Sequence, residues 1–177
     1  MRILFPVVVL AMSGGCSAPP AAIEQYRALP ERTDFPVSGL ADYVRVDKSD
    51  RTLTLFRQGW PMKTYYGLQF GDTPTGHKRF EGDERTPEGR YYIDTRNPDS
   101  AYHLSLRISY PDQNDRAYAM AYGQSPGGNI FIHGQPNGLA AGRMEGDWTD
   151  GCIAVSNEEI EELWLTIPDG TIIDISP

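Results

Sequence analysis

The run Asn129-Ile130-Phe131-Ile132-His133-Gly134 and the later run Asp147-Trp148-Thr149-Asp150-Gly151-Cys152-Ile153-Ala154-Val155 decide how this chain reads. The first is a short apolar strand ending in a polar ring, where packing alone supplies no reason for one. The second turns at Gly151, a residue that permits a sharp bend and close approach of another group. Ser156-Asn157-Glu158-Glu159 follows with the form of a capping box, in which the hydroxyl and the carboxylate three residues on satisfy free N–H groups reciprocally. Ile160, Leu163, Trp164 and Ile167 then recur at helical spacing as one apolar face. Pro168-Asp169-Gly170 ends the helix, and Thr171 to Ile175 closes the chain as a strand.

Working outward, the sequence is strand-like from about residue 41. Tyr43-Val44-Arg45-Val46 and Thr52-Leu53-Thr54-Leu55-Phe56 flank turn chemistry at Lys48-Ser49-Asp50, and Lys63 to Leu68 reads as a third strand of a meander. A polar loop from Gly71 to Gly89 separates these from a strand at Arg90-Tyr91-Tyr92-Ile93. Loops of that length inside a compact domain are usually functional or mobile. His103 to Ile108 alternates as a further strand, and Ser125-Pro126-Gly127-Gly128 is a turn. With 18 Gly and 14 Pro, short strands and turns are favoured over long helices. The expectation is a mostly-β domain, a sandwich or barrel, with one short helix after Cys152.

Composition narrows the function classes. Of 177 residues, 40% are hydrophobic and 23% charged, which suits a soluble globular domain. The formal net charge is −8 with no Lys/Arg cluster, so a phosphate backbone is a poor partner and nucleic acid is excluded. The N-terminus reads as targeting. Met1-Arg2 supplies a positive charge, and Ile3 to Met12 is apolar but too short to span a bilayer, which suits a secretory signal. Gly15-Cys16 looks like the cleavage point of a bacterial lipoprotein signal, with Cys16 lipidated, although Ser13 stands where such signals usually carry Leu. Cleavage after Ala18 and a retained anchor are the alternatives. The organisation expected is a signal over 1–18, a tether over 19–40 and one domain over 41–177, exported to the periplasm and held at the membrane by the lipid.

Export changes what the two cysteines mean. With Cys16 lipidated or removed, Cys152 is a lone thiol in an oxidising compartment, where a structural cysteine normally has a partner. It is either a small buried hydrophobe or a reactive group. A thiol needs a base to be a good nucleophile near neutral pH, and His133 is the candidate. The segment between them carries Gly134, Gly138, Gly142 and Gly146 and reads as a flexible lid. A zinc site from His133, Asp150 and Cys152 lacks a fourth ligand, so no metal or cofactor is expected. A papain-like arrangement fails because Cys would precede His there.

These residues resemble the YkuD-type L,D-transpeptidases of bacterial cell walls. That family's signature is His, usually then Gly, 14 to 17 residues, then Ser or Thr, any residue, Gly and Cys. Here His133-Gly134 is followed by Thr149-Asp150-Gly151-Cys152, with 15 residues between His133 and Thr149. Thr86-Pro87-Glu88-Gly89-Arg90-Tyr91 matches the turn that often opens a strand in the family. The resemblance covers roughly residues 41 to 176. It implies an L,D-transpeptidase fold, with Cys152 as the acylated nucleophile, His133 as its base, and the Gly134 carbonyl orienting the imidazole. Backbone N–H groups of residues 150–152 would form the oxyanion hole. It further implies acyl transfer on peptidoglycan stem peptides, the thiolate attacking the L-diaminopimelate–D-alanine bond of a tetrapeptide. Asp150 stands where many members have His, and Ala154 where many have Arg or Asn, as in a branch that includes hydrolases of peptidoglycan–lipoprotein links. A hydrolase on the same centre and a non-catalytic wall-binding lipoprotein are therefore the rival functions.

Four further residues are candidate substrate contacts: Thr149, Asp150, Trp148 and, in the lid, Arg143, which is suited to a substrate carboxylate. Each has an ordinary alternative. Asp147, Asp150 and Arg143 can simply face solvent, and Trp148 can pack in the core. His103, central in its strand, reads as structural, and His77 as a surface residue.

Overall fold

The computed structural model describes residues 39–177; the signal over 1–18, Cys16 and nearly all of the 19–40 tether lie outside the described residues. The strands are β1 Tyr43–Asp47, β2 Thr52–Arg57, β3 Trp60–Tyr66, β4 Gly89–Asn97, β5 Ser105–Ile108, β6 Phe131–His133, β7 Ile153–Ala154 and β8 Thr171–Ser176. The helices are α1 Gln113–Ala121 and α2 Asn157–Thr166. The eight strands of the described residues form one sheet in the order β3-β2-β1-β8-β4-β5-β6-β7, curled into a half-barrel. The antiparallel meander β1-β2-β3 is as expected, while the last strand, β8, enters the middle, parallel to β1 and antiparallel to β4.

Alternation explains which faces pack. In β8, Thr171, Ile173 and Ile175 are buried and the residues between them are half-exposed. Val44 and Val46 of β1, in register beside Ile173 and Ile175, are fully buried. Helix α2 covers the core with Ile160 and Leu163, both fully buried, each contributing about 2 kcal/mol through removal of apolar area from water. Its capping box is formed: Glu159 N–H donates to Ser156 Oγ, and Ser156 N–H to Glu159 Oε2.

Helix α1 corrects the expectation of a single helix. It escapes the periodicity test because it buries only Asp115 and Ala119 and so has no apolar stripe. A polar network holds it instead. Asp115 accepts from Tyr91 Oη at 2.9 Å and from His77 Nε2 at 2.9 Å, so His77 is not a free surface residue. Two strands also shift: β3 starts at Trp60, and β5 at Ser105, because His103 has φ +68° and lies outside the ladder.

The long loop is fastened from beneath. Lys48, 6% exposed, donates Nζ to the carbonyls of Gly76 (2.7 Å) and Thr86 (3.2 Å) and pairs with Glu88 at 2.8 Å. Bridges Gln69↔Ala154 and Gly71↔Thr149 dock the start of the loop beside β7. These contacts bring the Thr86 turn under the segment that carries Cys152.

Candidate active site

The pairing of β6 with β7 brings the two candidate residues, His133 and Cys152, together. The ladder is parallel, with Ile132 opposite Ile153 and His133 opposite Ala154. Cys152 directly precedes β7, so it falls opposite Phe131, two positions from His133 and with the same facing. Strand spacing and rise put such a diagonal pair about 8 Å apart at Cα, within side-chain reach. Both line one cleft of about 880 Å³, together with Lys78, Tyr102, Trp148 and Thr149.

The turn before Cys152 is fixed by backbone geometry. Gly151 has φ +114°, and a Cβ there would lie 2.4 Å from the Arg85 carbonyl oxygen. Thr86, fully buried, donates its hydroxyl to the Gly151 carbonyl at 2.9 Å. Thr149 Oγ1 donates to the Cys152 carbonyl at 2.8 Å and accepts from the Gly151 N–H at 3.3 Å. The Gly151 N–H thus already has a partner in the Thr149 hydroxyl.

His133 is 3% exposed, and its Nδ1 lies 2.7 Å from the Gly134 carbonyl. A carbonyl only accepts, so Nδ1 carries the proton and Nε2 keeps its lone pair. Gly134 tolerates no side chain, since a Cβ would meet Asn157 Oδ1 at 2.6 Å. Tyr102 stacks on the imidazole with centroids 4.6 Å apart, and Trp148 meets it edge-on at 5.5 Å. Burial lowers the His133 pKa, opposed by the hydrogen bond to Gly134. Burial raises the Cys152 pKa and the Asp150 carboxylate adds to it, while the Phe131 N–H and Lys78 oppose. Both directions favour a neutral thiol beside a neutral imidazole. Such a pair is suited to general-base chemistry, in which the imidazole accepts the thiol proton during attack.

The model of the YkuD L,D-transpeptidase catalytic domain matches residues 41–175. The chain belongs to this family. Among solved structures, it is similar to the helical cell shape determining protein Pgp2 from Campylobacter jejuni, at 27% identity and TM-score 0.60, over 81% of this chain and 51% of that one. Bd1075 from Bdellovibrio bacteriovorus shares the fold at 23% identity and TM-score 0.54, over 80% of this chain and 53% of that one. The L,D-transpeptidase from Xylanimonas cellulosilytica shares it at 17% identity and TM-score 0.50, over 80% and 63%. The chain spans about half the length of the first two. Among functionally curated proteins, no sequence matches.

In this L,D-transpeptidase domain the segment between His133 and Cys152 is not a free lid. Gln135, fully buried, donates to Gln69 Oε1 (3.1 Å) and to the Val155 carbonyl (2.6 Å) and accepts from the Met144 N–H. Gln69 in turn donates to the carbonyls of Met144 and Gly146. Asp147 is held by both terminal nitrogens of Arg51, at 2.7 and 2.6 Å, and accepts from the Phe70 N–H; Arg51 holds its carboxyl below the usual range. Of residues 135–148, only Trp148 lines the cleft. Its indole N–H is buried and has no partner among the described residues. Arg143 lies elsewhere: it donates to the Gly67 carbonyl and pairs with Glu159, which places it away from any carboxylate in the cleft. Asp150 is exposed at the cleft rim.

Three cleft or support residues carried no site signal in the sequence. Tyr102 is an exposed loop residue with no pattern around it, and Lys78 sits in the polar loop, paired with Asp83 at 2.9 Å. Thr86 was visible only as part of a turn. His103 pairs with Glu161 at 2.9 Å and is not a cleft residue.

Proposed function

We propose that this domain is a cysteine acyltransferase acting on peptidoglycan stem peptides. The observation that carries this reading is a half-buried thiol and a neutral, Nδ1-anchored histidine sharing one cleft in a chain of the L,D-transpeptidase family. Nε2 of His133 takes the thiol proton as Cys152 Sγ attacks the carbonyl of the L-diaminopimelate–D-alanine bond. The same proton passes to the departing D-alanine amine, leaving a thioester. An amine of a second stem then attacks, its proton returns through His133, and the free thiol is restored. Trp148 offers its indole N–H to the bound peptide, and Thr149 holds the nucleophile turn. Similarity to a cell shape determining protein supports a place in wall remodelling.

Hydrolysis is the second reading, favoured by a covering segment fastened to the scaffold, with only Trp148 facing the cleft. A transferase must exclude water, present at about 55 M, and position an amine far better than chance encounter does. Incubation with disaccharide-tetrapeptide and mass spectrometry separates the two. Dimers joined through two diaminopimelate residues, or exchange of the terminal D-alanine for an added D-amino acid, are expected. Accumulation of tripeptide alone makes the domain a hydrolase.

We also propose that the protein is periplasmic and tethered by a lipid on Cys16. Radiolabelled palmitate is expected to enter the wild type and not Cys16→Ser. An intact mass showing cleavage after Ala18 without lipid overturns the anchor.

A further inference from the structure

Helix α1 makes little sense as a core element. Of its nine residues only Asp115 and Ala119 are buried, yet it is held rigidly through Asp115 to Tyr91 and His77. What it displays is aromatic. Tyr118 and Tyr122 stand four residues apart on one face, at α1 and its C-cap, with ring centroids 4.9 Å apart. They are 37% and 61% exposed. Phe80 from the long loop backs both rings at 5.9 and 5.8 Å, and the Arg79 guanidinium lies 4.4 Å over Tyr118. The rings are therefore held in place while the Tyr122 face stays open to solvent.

The location ties this patch to the cleft. Glu81, directly after Phe80, and Ser125, three residues after Tyr122, both line the cleft that holds Cys152. Their backbones are joined by the Glu81 N–H donating to the Ser125 carbonyl at 2.9 Å. A tetrapeptide acylated at its third residue leaves three residues between the thioester and the sugar that bears the stem. Three extended residues span about 10 Å, so the sugar that bears the stem lies beyond the thioester, outside its immediate surroundings. A pyranose ring offers an apolar C–H face for an aromatic ring and hydroxyls for a phenol, the pairing that amphipathic tyrosines suit.

We propose that the Tyr118–Tyr122 face, backed by Phe80, binds an N-acetylated sugar of the glycan strand whose stem peptide occupies the cleft. The proposal rests on the peptidoglycan reading above, and its test separates the two. Tyr122→Ser in the full chain removes the most exposed ring. Titration of an N-acetylglucosamine oligomer carrying no peptide is expected to show binding by the wild type, weakened about five- to tenfold in the variant. KM for disaccharide-tetrapeptide rises by a similar factor, while kcat and the kinetics of sugar-free tetrapeptide stay unchanged. Equal oligomer binding by both proteins, or none by the wild type at millimolar concentration, overturns the platform. So does concentration-dependent self-association that Tyr122→Ser abolishes without affecting the sugar, because the patch then serves a second copy of the chain. Failure of both peptide substrates to turn over would overturn the stem-peptide reading, and the oligomer titration would still decide the platform.

Discussion

Cys152→Ala is expected to abolish turnover, by a factor on the order of 10⁴ or more, and to eliminate covalent labelling by iodoacetamide or a carbapenem. No other sulfur among the described residues can replace it, since Cys152 is the free cysteine there. The substitution should leave the fold intact. The sulfur's polar contacts are weak ones, to the Asn129 carbonyl at 3.6 Å and from the Phe131 N–H, and the turn around it is held by Thr86, Thr149 and Gly151 through groups the variant retains. Truncating a half-buried Cys to Ala costs about 1 kcal/mol or less, within the range of mild substitutions. Turnover and labelling by stopped assays and mass spectrometry, with a thermal melt of the same preparation, form the check. Retained turnover in a folded variant would end the nucleophile assignment.

The parts of the fold that were legible in the sequence are those whose signal is local. Helix α2 was legible because Ser156 and Glu159 cap it and Ile160, Leu163, Trp164 and Ile167 mark one face. The meander was legible because alternation and turn chemistry both act within a few residues. Two features were not. The insertion of β8 between β1 and β4 is decided by which apolar faces fit together between segments far apart in the chain, and nothing in Thr171 to Ile175 names its neighbours. Helix α1 was missed because its anchor is a buried carboxylate rather than an apolar stripe. Its cap, Asp112 with Asp115, is a capping box built from two aspartates, in place of the usual Ser or Thr with Glu or Gln.

The site divides the same way. Chemistry pointed to His133 and Cys152, because a polar ring at a strand end and a lone thiol both lack a packing reason. Residues acting through long-range contacts gave no comparable signal. Thr86 supports the turn before Cys152 from 65 residues away, and Tyr102 reaches the imidazole from outside any regular element. Arg143 illustrates the same gap: its charge suits a carboxylate or solvent, and nothing in the sequence signals that the Gly67 carbonyl and Glu159 take its donors. The glycines of the covering segment suggested mobility, yet the Gln69–Gln135 pair and the Arg51–Asp147 clamp fasten it.

His133→Gln is expected to slow acylation of Cys152 by about 10²-fold or more at neutral pH, the range for a lost general base. The size of the loss should depend on pH in a way that a merely structural role would not produce. In the wild type, Nε2 must be unprotonated to accept the thiol proton, and burial lowers the His133 pKa. Its acid limb should therefore fall below the ordinary imidazole range, with activity lost as pH drops through the lowered value. In the variant only thiolate formed without a base reacts, and burial together with Asp150 raises the Cys152 pKa. The thiolate fraction then climbs tenfold per pH unit up to that raised value. The variant's rate should rise steeply through pH 7 to 9, and the gap to the wild type should narrow as pH increases. Acylation rates measured by mass spectrometry across that range test this directly. A constant ratio at every pH, or a loss under tenfold at pH 7, would assign the proton transfer to another group. A wild-type rate that is flat across the acid and neutral range would instead mean a preformed thiolate, contrary to the burial of both groups.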